Sequence, residues 1–400
     1  MPIPRSCEHP SRPATARSVR RAVAPVWCFL LAMAAETGLA LDHVSLTRDG
    51  KPLRVSGTIV TQAVDGGVLL LDREGVLWRV PSEELTGRSK DDEPFSLLKS
   101  EELKGRILSQ LPKGFQVRAT PHYLVFYNTS PAYAQWCAAL YERLYRGFHS
   151  YWAHRDLELH DPPAPLIAIV FDSPSAYEQY ARTELGAAAS SMVGYYSLDS
   201  NRITTYDLTG TKGLQGGSTR HVGSTAQVNR LLMQPGAEWL VATIIHEATH
   251  QLAYNCGLHA RHADIPFWVS EGLAVFFETP DLKSSKGWND IGGVNRMRLN
   301  QFHKYVQSRP TDSLTALLLD DKRFRQPKTA GDAYAEAWSL NFYLIRRRPK
   351  DYVRYLKTLA EKKPMVYDTP EQRLQDFTAA FGDGLRQIDA DFVRFMSGVR

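Results

Sequence analysis

The chain has 400 residues, 43% of them hydrophobic and 23% charged, with a formal net charge of +5. That length exceeds a usual single domain, and the composition is that of a folded globular protein, so disordered, fibrous and collagen-like classes are excluded. The first 40 residues hold five basic and two acidic side chains; without them the net charge falls to +2, which gives no reason to expect nucleic acid or an anionic membrane as partner.

Residues 1–40 read as an export signal peptide. Arg17, Arg20 and Arg21 precede the apolar run 22–35, and Gly38-Leu39-Ala40 supplies small residues for cleavage. The run is shorter than the roughly 20 residues of a membrane span, and Pro25 and Glu36 bracket it. The expected location is therefore outside the cytoplasm, secreted or in the periplasm or cell envelope, with no stable membrane insertion. Cys7 and Cys28 would leave with the signal. Cys137 and Cys256 remain, as one disulfide or as two buried thiols.

Residues 42–98 read as a small β module. The runs 55–63, 67–71 and 76–80 are rich in Val, Leu, Ile and Thr, and Asp65-Gly66-Gly67 and Glu74-Gly75 mark turns between them. Three or four short strands are expected, then a charged linker at 88–93 and a short helix over 100–111. The module holds no cluster of reactive groups, so a structural or docking duty, with a partner in the cell envelope, is its expected role.

Residues 115–400 are expected to form the second, larger domain. Residues 115–127 alternate as a strand, and Trp136, Ala139, Leu140, Leu144 and Phe148 set a helix over 132–152. The apolar run 165–171 suits a buried strand, and 175–185 a helix. Residues 194–208 read as a hairpin turning at Asp199-Ser200-Asn201, and 209–222, rich in Gly, Ser and Thr, as a loop. Beyond Pro235 the chain turns helical, with Gly257, Pro280, Pro310, Pro349 and Pro364 as breakers. Strands first and helices afterwards predict an α+β fold.

The chemistry concentrates in EWLVATIIHEATHQLAYNCG, residues 238–257. Apart from its histidines this segment is charged only at Glu238 and Glu247, the pattern of a helix buried on nearly all sides. His246 and His250 lie four apart and project from one face, so both imidazoles can converge on one ion. Glu247 sits about 100° further round the helix, too far to share the metal and near enough to reach a water bound to it. FWVSEGLAVFFE, residues 267–278, reads as a second apolar helix whose Glu271 needs a cation as partner. His259 and His262 are expected on a surface loop, in reserve as alternative ligands.

HEATHQ followed by WVSEGLA resembles the gluzincin metallopeptidases, in which a second helix carries the third zinc ligand. HEATHQLAYNCGL with PFWVSEGLAVFFE is similar, more closely, to a family of exported bacterial proteins of uncharacterised function with a peptidase-like core; that likeness runs from Phe115 to the C-terminus. The resemblance implies a zincin-like mixed sheet with a metal-binding helix, and one Zn2+ held by His246, His250 and Glu271. It also implies Glu247 as general base, peptide or protein as substrate, and Tyr334 as oxyanion donor. An edge strand over 202–208 is expected to pair with the substrate. Metzincins are excluded because Ala253 and Cys256 stand where Gly and His are required. Thermolysin-like enzymes support a zinc histidine with an acid four residues after the ligand Glu. Here that position is Val275, so another residue must orient the imidazoles. No Gly-x-Met-Glu-Asn segment of the aminopeptidase type is present. The alternative reading is a peptidase-like protein kept for binding, with the β module docking its partner.

Overall fold

The computed structural model describes residues 40–210, 223–234, 236–278 and 291–400. The expected signal up to residue 39, the greater part of the 209–222 loop, and Pro280 lie outside the described residues.

The first sheet is antiparallel. It comprises β1 (Ala40–Arg48), β2 (Lys51–Gln62), β3 (Val68–Asp72), β4 (Leu77–Val80) and β5 (Leu85–Pro94), in the order β4-β3-β2-β1-β5. Val44, Leu46, Val68, Leu70 and Val80 form its small apolar core. The stretch 88–93, expected to be a linker, is instead part of β5, with Lys90 opposite Asp42 and Ser89 opposite His43. Backbone pairing with β1 overrides its poor strand propensity, and charge along an exposed edge discourages further strands from adding.

After α1 (Ser100–Gln110), which buries Leu103 and Ile107 in the main core, the chain builds a second sheet. Residues 115–127, read as one strand, are two: β6 (Gln116–Ala119) and β7 (Tyr123–Tyr127) pair antiparallel, and the Thr120 N–H donates to the Tyr123 carbonyl at 2.9 Å across the turn. Then follow α2 (Pro131–Ala153), β8 (Leu166–Phe171), α3 (Pro174–Leu185), β9 (Gly194–Tyr196) and β10 (Arg202–Tyr206). The order is β6-β7-β8-β10-β9, with β7, β8 and β10 parallel. β10 was expected at the edge; it is interior, and every one of its side chains is buried. The edge is β9.

The remainder is helical: α4 (Thr225–Leu232), α5 (Glu238–Asn255), α6 (Phe267–Phe277), α7 (Arg296–Tyr305), α8 (Ser313–Leu319), α9 (Lys322–Arg325), α10 (Pro327–Arg347), α11 (Pro349–Ala360), α12 (Pro370–Phe381) and α13 (Leu385–Ser397). The fold is mixed α+β, with an N-terminal β module and a helical C-terminal part. Among the described residues no helix is long and apolar enough to cross a membrane. Cys137 and Cys256 are free buried thiols, and burial pushes Cys256 up to about 12.

The β9–β10 turn joins the two sheets. Its Asp199 carbonyl accepts from the Leu77 N–H at 2.8 Å, and its Asp199 carboxylate is gripped by Arg79 at 2.8 Å. Arg261 donates to the carbonyls of Gly75 and Leu198 at 3.0 and 3.2 Å. The same turn is locked to the last turn of α5 by reciprocal amide bonds between Asn201 and Asn255 at 2.8 and 2.7 Å.

Candidate metal centre

α5 is apolar on nearly all sides, as its sequence demands, and lies against the second sheet. Gln251 anchors it there, donating from one amide nitrogen to the carbonyls of Ile167 and Asn201 at 3.0 and 2.9 Å. The helix ends where Gly257 adopts φ +87°, a left-handed conformation that favours glycine; a Cβ there would also meet the exposed His160 ring at 2.8 Å, which would have to turn aside.

α6 brings Glu271 to the same place. Its first N–H, at Phe267, donates to Asp321 at 3.0 Å, and Arg373 holds Asp321 and Asp264 at 3.1 and 2.6 Å. Further along, Gly272 lets α6 lie directly on α10. A Cβ at Gly272 would stand 2.0 Å from the Asn341 amide nitrogen and 2.7 Å from the Ala337 carbonyl. Asn341 in turn donates to the carbonyls of Trp268 and Ala337 at 2.7 and 2.8 Å, fastening the two helices.

The three expected donors meet. His246 Nε2 lies 3.2 Å from Glu271 Oε2 and 3.2 Å from His250 Nε2, and His250 Nε2 lies 3.4 Å from Glu271 Oε1. Donors about 2.0–2.1 Å from a tetrahedral ion stand roughly 3.3–3.4 Å from one another. The triangle formed by the two imidazole nitrogens and the Glu271 carboxylate, whose Oε2 faces His246 and whose Oε1 faces His250, has edges of that size. His246, His250 and Glu271 could hold a metal ion, and their side chains are 14, 12 and 17% exposed, desolvated yet reachable.

The electrostatics agree. Burial alone would lower the His246 pKa, but Glu271 and Glu278 flank the ring and hold it well above the usual histidine value. Burial would raise Glu271; His250 and His246 hold its carboxyl well below the usual carboxylate range. Two imidazoles and a carboxylate crowded together in a low-dielectric pocket form a site built around positive charge.

Sequence reasoning missed what orients His246. The Glu278 carboxylate accepts from His246 Nδ1 at 3.0 Å through Oε2 and from the Asn295 amide at 3.0 Å through Oε1. The carboxylate absent at Val275 is thus supplied seven residues beyond Glu271. Its signal was visible as the one other acid of the apolar segment 267–278; Asn295 carried no such signal. Because Nδ1 carries the proton given to Glu278, Nε2 is the nitrogen left for an ion at the triangle.

Glu247 lies beside the triangle, and its carboxylate accepts from the Tyr196 backbone N–H at 2.8 Å, which brings the edge strand β9 alongside the centre. Burial raises the Glu247 pKa against the opposing pull of His246 and His250. Tyr334, in α10, lies close to Glu271. Burial and Glu271 together raise its hydroxyl pKa, so it stays protonated.

The reserve ligands are not part of the cluster of His246, His250 and Glu271. His262 Nε2 lies 2.9 Å from Asp199, on the turn that joins the sheets. His259, expected on the surface, is only 4% exposed and packs on Tyr254; burial drives its pKa down to about 3.

No curated protein matches the chain. Residues 240–366 match the model of a family described as a protein of unknown function (DUF1570), a stretch that holds His246, Glu247, His250, Glu271, Glu278 and Tyr334 together.

Proposed function

We propose that the chain is an exported zinc-dependent peptidase of the gluzincin type, with a zincin-like core, acting on peptide or protein substrates. The observation that carries this reading is the donor triangle with Glu247 beside it. Three protein donors of this kind leave a fourth position for water, the mark of a catalytic rather than a structural site. Two imidazoles and a carboxylate are a set that zinc accepts. A purely structural or binding site has no need of Glu247.

Zinc held by His246, His250 and Glu271 would supply an acidified water and polarise the scissile carbonyl. The chain's own groups do the rest. Glu247, its proton affinity raised by burial, takes the water's proton and passes it to the leaving amine. Tyr334 stays protonated and donates to the oxyanion. Glu278 keeps His246 in the tautomer that presents Nε2. The outer flank of β9, where Glu247 accepts from the Tyr196 N–H, is the place for an extended substrate to add as a strand.

Metal analysis of the purified protein is expected to give one zinc per chain. Glu247→Gln should retain that zinc and lose cleavage of a broad peptide library. A zinc-loaded wild type that cleaves no member of the library would overturn the hydrolase reading in favour of a binding protein.

A further inference from the structure

Arg298, in the first turn of α7, stands beside the metal centre without a carboxylate of its own. Its guanidinium carbon lies 5.3 Å from the centre of the Tyr334 ring. Three other arginines in the helices of this half that are largely withdrawn from solvent are ion-paired. Arg309 meets Glu336 and Asp389 at 2.7 and 2.6 Å, Arg323 meets Glu336 at 2.6 Å, and Arg373 meets Asp264 at 2.6 Å. Among the described residues Arg298 has no such partner, and its Nε is buried with no acceptor. A desolvated N–H left without an acceptor is costly, and an incoming oxygen would relieve that cost.

The placement is fixed rather than incidental. Asn295 caps α7 by accepting the Arg298 N–H at 3.1 Å, and its amide nitrogen holds Glu278, which holds His246. One residue therefore sets both the metal centre and the arginine. Beyond Tyr334 an aromatic row continues through Phe324 and Phe267, with ring centres 5.3 and 5.9 Å apart. Arg325, also without an ion-pair partner among the described residues, lies 5.5 Å from Phe267 at the far end. The row is apolar along its length and cationic at both ends.

Resting on the peptidase reading for the kind of molecule that reaches this centre, we propose that Arg298 recognises a carboxylate of the bound peptide. Two sources share that chemistry: the C-terminal carboxylate and an Asp or Glu side chain near the bond presented to the metal centre. The planar guanidinium offers two parallel N–H donors to a carboxylate, a match that a lysine in its place would lack.

The test is peptide binding by the zinc-loaded Glu247→Gln protein, read by fluorescence anisotropy and therefore independent of turnover. Each peptide is used with a free and an amidated C-terminus, and with internal Glu or Gln. Carboxylate forms are expected to bind about ten- to a hundredfold more tightly, the range of charge-assisted hydrogen bonds. Loss on amidation assigns the C-terminal source, and loss on Glu→Gln the side-chain source. Adding Arg298→Gln, which keeps much of the side chain's length, should abolish the preference. Adding Arg298→Glu should reverse it towards lysine-bearing peptides, a gain that mere structural damage does not produce. Equal binding of both forms, no binding of either, or a preference that survives Arg298→Gln would overturn the proposal. A wild type that cleaves nothing while this preference stands would remove the peptidase reading and leave the inference intact.

Discussion

Glu278→Gln is the sharpest probe of the centre, because the substitution keeps the side chain's size and shape while removing its charge and one of its two acceptors. The carboxylate serves two buried donors with two oxygens, Oε2 for His246 Nδ1 and Oε1 for Asn295, both at 3.0 Å. Glutamine has a single acceptor, so one donor must face an NH2 group. Asn295 cannot escape by turning its amide over, since its own oxygen already caps the Arg298 N–H at 3.1 Å. Leaving one buried donor unmet costs about 1–3 kcal/mol. Loss of an outer partner of a metal-binding histidine typically weakens metal affinity about 10- to 100-fold, or about 1.4–2.7 kcal/mol. The two routes agree, and the expected loss lies in that range. Competition for zinc against a chromophoric chelator measures it, with circular dichroism to confirm the fold. An intact variant whose zinc affinity stays within about twofold of the parent would show that Glu278 does not orient His246.

Gly272→Ala drives a methyl into the Asn341 amide and the Ala337 carbonyl of α10, the latter backbone that cannot turn aside. Overpacking of this kind costs about 1–3 kcal/mol or more, so the urea midpoint should fall and zinc affinity should fall with it as Glu271 shifts; an unchanged midpoint would contradict the close approach of α6 and α10. His259 is buried neutral, its folded pKa lowered from 6.5 to about 3. A lowered value means that the unfolded chain binds the extra proton first. Stability is therefore complete above pH 6.5 and declines as pH falls towards 3, by up to about 1.4 kcal/mol per pH unit. His259→Phe should flatten that acid slope in urea unfolding at stepped pH; identical slopes would place the acid sensitivity elsewhere.

Local signals carried most of the fold. Helical periodicity marked α2 and α5, and the continuous apolar run marked β8, because in these elements the buried face is written in consecutive residues. What failed was long-range. β5 reads as a charged linker until β1 supplies its hydrogen bonds, and β10 reads as an edge because strand order is not encoded in the strand itself. The site divides in the same way. The spacing of His246, Glu247 and His250 is a property of one helix and was legible. Glu271 was legible as a carboxylate in apolar surroundings. Glu278 and Asn295 carry no local sign of their role; only packing shows that Glu278 meets His246 and that Asn295 holds Glu278.

The burial of α6 also sets a timetable. Nine of its eleven residues are buried, and its glycine face fits only against α10. The two histidines leave the ribosome well before residue 337, by several seconds at about 5–20 residues per second. During that interval the third donor has no seat, and a nascent chain offers an ion only two imidazoles. The centre therefore cannot close before α10 has been made. A chain cut short before α10 would carry the whole HEATH motif and still be unable to close the donor triangle.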